Sequence, residues 1–246
     1  MSNPSWPYPR WIAHRGAGKL APENTLAAFR LGARYGYRMF ECDVKLSGDE
    51  IPFLMHDAEL ERTTDGKGHG GDLDWQALAQ LDAGSWHSRL YAGEPLPHLA
   101  NIARFCLRNK FLLNIEIKPT PGLGRRTGEV VAQHAARLWH GAATAPLLTS
   151  FDTEALAGAQ AAQPELPRGL LLHEADPRWL ASAQSLGCVA IVCNHTLWNQ
   201  DNLMQARAAQ FKCLGYTVND GSAAQRLLEL GIDAIITDRV DLFAPD

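Results

Sequence analysis

Eight short apolar runs recur along the chain, each followed by a segment with helical spacing, and this alternation limits the possible folds more than any other feature. The runs are WIAH (11–14), MFECDV (39–44), FLLNIEI (111–117), LLTSF (147–151), GLLL (169–172), VAIVC (189–193), KCLGYTV (212–218) and AIIT (234–237). Strands that alternate with helices pair in parallel, because each helix carries the chain back across the sheet. Eight such units in 246 residues predict a closed (βα)8 TIM barrel of the α/β class, one domain spanning residues 1–246. Helix punctuation agrees. Leu99, Ile102, Ala103 and Cys106 follow i, i+3, i+4, i+7 spacing; Asp176 and Pro177 are placed as N-cap and first residue of a helix; Gly187 and Gly231 fall just past the ends of two more.

One interval is too long. From Ile117 onward, strand ends recur every 19 to 34 residues, whereas 74 residues separate Asp43 from Ile117. The spacing predicts an insertion between the second and third barrel strands, over about 45–97. Its first part, VKLSGDEIPFLMH, reads as a hairpin turning at Ser47-Gly48-Asp49, with Pro52 tolerated at an edge. That pairing brings His56 back roughly opposite Asp43. The remainder, rich in Gly and Asp, is expected to form a small cap over the barrel mouth.

Side chains at i and i+2 of a strand share a face. Glu41 and Asp43 therefore point into the barrel while Cys42 and Val44 point at the helices, and Glu116 and Lys118 repeat the arrangement. Three carboxylates and one ammonium converge at the C-terminal strand ends, the face on which barrel enzymes build active sites. Crowded carboxylates repel one another and need protons or cations. A hard divalent ion with oxygen ligands answers that need; the alternative is an internal ion-pair layer balanced by Lys118. His14, Arg15 and Gly16 emerge at the same rim, a guanidinium and an imidazole suited to an anion such as phosphate. His56 supplies the second imidazole. Elsewhere GKGHGG (66–71) lacks the GK[ST] ending of a phosphate loop, Arg125-Arg126 reads as a solvated helix start, and Ser85 and Ser150 have no GxSxG context. His87 is a weak ligand candidate.

Composition excludes some partners. With 23 basic against 27 acidic residues the chain lacks the basic surface that nucleic acid requires. No apolar run is long enough to span a bilayer, and MSNPSWPYPRW lacks the charged start and apolar core of a signal peptide, so stable membrane insertion is not expected. Cys42, Cys106, Cys188, Cys193 and Cys213 show no metal-ligand spacing and mostly lie in apolar runs, which fits free thiols in the cytoplasm.

HRGAGKLAPENTLAAF, ECDVKLSGDEIPFLMHD, LERTT, LDAGSW, NIEIK, TSF, YTVN and IITD, in that order, resemble the motif series of the bacterial glycerophosphodiester phosphodiesterases over residues 12 to about 240. The resemblance implies a TIM barrel with a short inserted cap. It implies hydrolysis of a small glycerophosphodiester to sn-glycerol 3-phosphate and an alcohol, within glycerol and lipid metabolism, with one divalent metal ion, Mg2+ or Ca2+. By position, His14 and His56 match the catalytic histidines, Arg15 and Lys118 the phosphate contacts, and Glu41, Asp43 and Glu116 the metal ligands. Glu23 matches a position near the metal, and Phe151 and Tyr216 are assigned with it to the substrate pocket. Two departures stand out: Tyr216 replaces the Trp of WTVN, and SGDE replaces a TKDG-type turn. The resemblance leaves open which histidine is the acid, and whether water or the glycerol hydroxyl attacks. A phospholipase D type lysophospholipid hydrolase and a non-catalytic phosphate-binding barrel are the alternatives. The first needs an apolar lip, and the second does not need paired histidines.

Overall fold

The structure is a computed structural model that describes residues 6–245. Residues 1–5 and 246, which the single-domain reading also takes in, lie outside the described residues. Eight parallel strands close on themselves: β1 (Trp11–Ala13), β2 (Met39–Leu46), β4 (Leu112–Ile117), β5 (Leu147–Ser150), β6 (Arg168–Leu172), β7 (Ala190–Asn194), β8 (Lys212–Tyr216) and β9 (Ala234–Thr237). Closure is at β1, where Ala13 pairs with Phe40 on one side and Thr237 on the other. Helices α1 (Leu26–Arg34), α3 (Leu99–Asn109), α4 (Gly124–Leu138), α5 (Thr153–Ala162), α6 (Trp179–Ser185), α7 (Gln200–Ala208) and α8 (Gly221–Leu230) pack outside. The chain is a TIM barrel.

Strand alternation sorts the apolar residues into two cores. Phe40, Cys42, Val44, Leu113, Ile115 and Ile117 face the helices, and all five cysteines are buried and free. Ile12, Met39, Leu147, Leu171, Val192, Leu214 and Ile236 fill the barrel interior, with Tyr8 beneath them donating to the Ala145 carbonyl at 2.9 Å. This apolar plug closes the lower half, so the inward positions above it are free to be polar.

The predicted hairpin forms. β3 (Pro52–Leu54) runs antiparallel to β2, with Val44 opposite Leu54 and Leu46 opposite Pro52. Met55 donates to the Asp43 carbonyl at 3.1 Å, so Met55 stands opposite Asp43 and His56 lies one residue further on. The chain then makes two 3-10 turns and the short helix α2 (Trp75–Leu78) before reaching α3. This segment has its own small core of Phe53, Met55, Leu60, Leu78, Ala83 and Leu96. It is tied to the loop after β1 and to α1: Glu94 accepts from the Ala27 N–H at 2.9 Å, and the His87 ring meets the Lys19 carbonyl at 3.0 Å. GKGHGG is a turn within it, closed by Leu60 N–H to Gly68 O at 2.9 Å.

The helix predicted at Leu99 buries Leu99, Ile102, Ala103 and Cys106, and Gly231 caps α8 with φ of 81°. The start expected at Asp176 is displaced: α6 begins at Trp179 after Arg178. Asp176 Oδ1 accepts from the Arg178 N–H at 2.9 Å, closing a side-chain turn that delays the helix by two residues.

Candidate active site

The mouth is assembled mainly from β1, β2 and β4 and the loops that follow them. Glu41 and Asp43 on β2 and Glu116 on β4 project inward, with Asp43 level with Glu116 and Glu41 two residues below, and one oxygen from each lies within 4.8 Å of the others. Glu41 and Asp43 are buried. Glu41 Oε2 accepts from the Arg15 N–H at 3.0 Å, and Asp43 Oδ2 accepts from Asn24 Nδ2 at 2.8 Å. Glu41 Oε1 and Asp43 Oδ1 are buried with no hydrogen-bond partner. Orphaned carboxylate oxygens are costly. Burial, reinforced by the Asp43 charge, raises the Glu41 carboxyl to about 8 and the Glu116 carboxyl to about 7. Burial also acts against the charged form of Asp43, but Arg15, His56 and Lys118 outweigh it and hold Asp43 below the usual range. The donor set is all oxygen and anionic, and two of its lone pairs lack a protein partner, so it fits a hard divalent cation.

The loop after β1 wraps this cluster through strained backbone. Arg15 and Asn24, neither of them glycine, have φ of 50° and 59°, and Gly16 has φ of 97°. A Cβ on Gly16 would lie 2.8 Å from Ala28 Cβ, so only glycine lets the loop seat on α1. Asn24 then grips Asp43 twice, donating to Oδ2 and accepting its N–H at 3.0 Å. Arg15 is held over the cluster with Nε 3.2 Å from Asp43 and Nη1 2.8 Å from Glu23.

Each imidazole is backed by its own carboxylate. His14 Nδ1 lies 2.6 Å from Asp238 Oδ1, and its Nε2 is 3.7 Å from Glu41. Burial works against its charged form, but Glu41 and Asp238 outweigh burial and raise its pKa. His56 Nδ1 lies 2.7 Å from Asp57 Oδ1, and its Nε2 faces Lys118 Nζ at 3.1 Å. Burial lowers its pKa; Asp43 opposes this, while Arg15 and Lys118 add to it. Lys118 Nζ also donates to Glu116 Oε1 at 3.1 Å.

Glu23 is not part of the carboxylate cluster. It binds Arg15 and also Arg62, whose guanidinium reaches Asp57 as well. Phe151 and Tyr216 meet edge-to-face at 5.8 Å on the opposite side, with Lys118 Nζ 6.0 Å from the Phe151 ring. His87 does not join the site; it packs between Trp86 and Tyr91. The sequence reading missed Asp238, Asp57, Asn24 and Arg62. The dipeptides HD at 56–57 and TD at 237–238 were signals for two of them, since an acid beside a strand end can turn toward an imidazole. Cavities of about 410 Å3 near Trp179 and Trp198, and about 540 Å3 at the barrel floor near Tyr8 and Phe211, contain none of these groups. Chemistry places the site where the ionisable groups meet rather than in either of these hollows.

The fold and this mouth define the class of protein: a TIM-barrel enzyme. The model of the glycerophosphoryl diester phosphodiesterase family matches residues 14–242. The chain belongs to that family. YhdW of Bacillus subtilis (strain 168) is 30% identical over 245 residues, which is 96% of each chain. The glycerophosphodiester phosphodiesterase of Caldanaerobacter subterraneus subsp. tengcongensis is 29% identical over 92% of this chain and 93% of its own. A solved phosphodiesterase of Oleispira antarctica, in complex with the product sn-glycerol-3-phosphate, is 35% identical, with a TM-score of 0.86 over 94% of this chain and 93% of that one.

Proposed function

We propose that the chain hydrolyses water-soluble glycerophosphodiesters to sn-glycerol 3-phosphate and an alcohol, using His14 and His56 for proton transfer and one divalent cation, Mg2+ or Ca2+. The observation that carries this reading is the carboxylate cluster with orphaned oxygens, set beneath two imidazoles that are each backed by a separate carboxylate. Glu41, Asp43 and Glu116 would hold the cation, which when bound neutralises the cluster and polarises a phosphoryl oxygen. Arg15 and Lys118 face the same space and supply fixed positive charge to the phosphate.

The hydrogen bonds favour particular roles for the two imidazoles. An ammonium can only donate, so Lys118 Nζ at 3.1 Å requires a lone pair on His56 Nε2, and Asp57 takes the proton on Nδ1. His56 is thus the neutral base that receives the nucleophile's proton. His14, between Asp238 and Glu41, is the acid that protonates the leaving alcohol from Nε2. The nucleophile is the substrate's own glycerol hydroxyl, as the family resemblance suggests, and water opens the cyclic phosphate that results. Phe151 and Tyr216 offer the carbon face of glycerol an apolar wall two rings wide. That is too little for an acyl chain and weighs against the lysophospholipid reading. A pure binding barrel would have no use for two oriented imidazoles. Five buried free thiols support a reducing, cytoplasmic setting, and no helix among the described residues is long and apolar enough to cross a membrane.

The test is to incubate purified protein with glycerophosphocholine, with and without EDTA, and to detect glycerol 3-phosphate enzymatically. No glycerol 3-phosphate in the presence of Mg2+ or Ca2+ would refute the activity.

A further inference from the structure

Lys45 follows Glu41 and Asp43 on the inward face of β2, one step nearer the mouth. It is 4% exposed. Its Nζ donates to the Lys118 carbonyl at 3.4 Å, at the long end of the range for such a bond, and it has no ion pair among the described residues. The other cations there are matched: Arg15 with Glu23 and Asp43, Lys118 with Glu116, and Arg62 with Glu23 and Asp57. Asp43, Asp57 and Glu59 act on Lys45 only at longer range, and the neighbouring Lys118 repels it. A buried ammonium without a counter-charge is expensive, and a methionine would fill the same volume without that cost. That leaves room for a counter-charge supplied by a ligand.

We infer that Lys45 is an anion-recognition residue of the mouth, whose counter-charge is the phosphate of the bound ligand, shared with Lys118. This rests on the proposed phosphodiesterase reading and adds to it a residue that motif matching did not single out. Lys118 follows the last residue of β4, and its N–H donates to the Val44 carbonyl at 2.9 Å, which sets it beside Lys45 at the strand ends, so an anion entering there meets both ammonium groups. In the free protein Lys45 is a cost tolerated for binding, as charges buried at functional sites often are.

The inference predicts effects of opposite sign. In metal-replete protein, Lys45→Met should weaken sn-glycerol 3-phosphate binding by about tenfold or more in titration calorimetry. KM for glycerophosphocholine should rise by a similar factor, with kcat within about threefold of wild type. Binding of uncharged glycerol should not change, and the unliganded variant should melt at or above the wild-type temperature. Lys45→Gln should bind the phosphate as weakly, and Lys45→Arg, which keeps the charge, should retain most of the affinity. If Lys45→Met and Lys45→Gln bind glycerol 3-phosphate within about threefold of wild type, or if both melt well below it, the ammonium is structural and the inference falls. Phosphate binding is read without turnover. Failure of wild type to cleave the diester would remove the proposed activity and leave this measurement standing.

Discussion

The two imidazole corners of the mouth are built alike and charged differently. Both pair Nδ1 with a carboxylate, at 2.6 Å for His14 and 2.7 Å for His56, and both turn Nε2 toward another ionisable group of the mouth. His14 then meets an anion, Glu41 at 3.7 Å, whereas His56 meets a cation, Lys118 at 3.1 Å. Burial penalises charge on both rings. At His14 the carboxylates Glu41 and Asp238 overcome it and push the pKa up. At His56 burial prevails, with Arg15 and then Lys118 adding to it against Asp43 and Asp57, and the pKa is pushed down. On the proposed roles, one template in two different charge settings supplies an acid and a base. The corners also differ in origin. His14 sits at a barrel strand end and is braced by Asp238 just past the last strand, itself held by Asn219, while His56 arrives on an inserted hairpin whose partner Asp57 is pinned by Arg62.

The largest effect is expected from the floor the corners share. Chelation by EDTA should abolish turnover and Mg2+ or Ca2+ should restore it, because on the proposed function both imidazoles depend on a substrate positioned over the carboxylate cluster. Glu116→Gln should weaken metal binding, measured by calorimetry, while the fold survives by circular dichroism. Full activity in metal-stripped protein would break the comparison at its base.

Replacing either imidazole tests the assignment directly. His14→Ala and His56→Ala should each lose roughly 10^2 to 10^4 in kcat/KM. A diester with a very acidic leaving alcohol needs no proton donor, so it should restore His14→Ala and leave His56→Ala impaired. The reverse pattern would exchange the roles. The pH dependence of kcat/KM should be bell-shaped: the acidic limb, set by His56, should lie below the ordinary imidazole value near 6.5, and the basic limb, set by His14, above it.

The sequence foretold the two corners to different degrees. Strand periodicity alone placed Glu41, Asp43, Glu116 and Lys118 on one face, because a two-residue repeat is a local property that any strand must obey. The insertion showed as a gap in strand spacing, and its hairpin carried His56 to within one residue of the expected position. The charges that raise the pKa of one histidine and lower that of the other were not legible. Asp238 lies 224 positions from His14, and Lys118 lies 62 positions from His56. No local pattern encodes a contact that only barrel closure creates. Glu23 shows the same limit: the motif places it near the metal, but its oxygens are taken by Arg15 and Arg62, whose approach from the inserted segment the sequence did not reveal.

The backing carboxylates should have a smaller and unequal effect. Asp238→Asn removes an anion that raises His14, so the basic limb should move toward acid. Asp57→Asn removes an anion that supports charge on His56, so the acidic limb should also move toward acid. Rate losses of roughly tenfold to a hundredfold are expected for each, as for other residues that orient a reacting group. Kinetic pH profiles of the two variants check this. If both variants shifted the same limb, the corners would not be independent.

The smallest effect concerns stability, and it separates the carboxylates beneath the two corners. In metal-free protein Glu41 and Glu116 are raised from 4.5 to about 8 and about 7 by burial and the Asp43 charge, so the folded state keeps protons that the unfolded chain releases. A group of this kind stabilises neither state below its unfolded pKa. Above that pKa the unfolded chain binds fewer protons than the folded one, and stability falls as pH rises until the folded pKa is passed. The melting temperature in EDTA should therefore decline by at least about 2 °C between pH 5 and 8, after allowance for groups elsewhere. Saturating Mg2+ or Ca2+ should flatten the decline, because a cation takes the place of the retained protons. Glu116→Gln should flatten chiefly the part up to about 7 and Glu41→Gln should extend the flattening to about 8, although the close pair shares its protons. Scanning calorimetry at a series of pH values would measure this. A metal-free melting temperature that rises steadily over the same interval would mean that the carboxylates are already ionised and balanced within the protein, and that the cluster has no need of a cation.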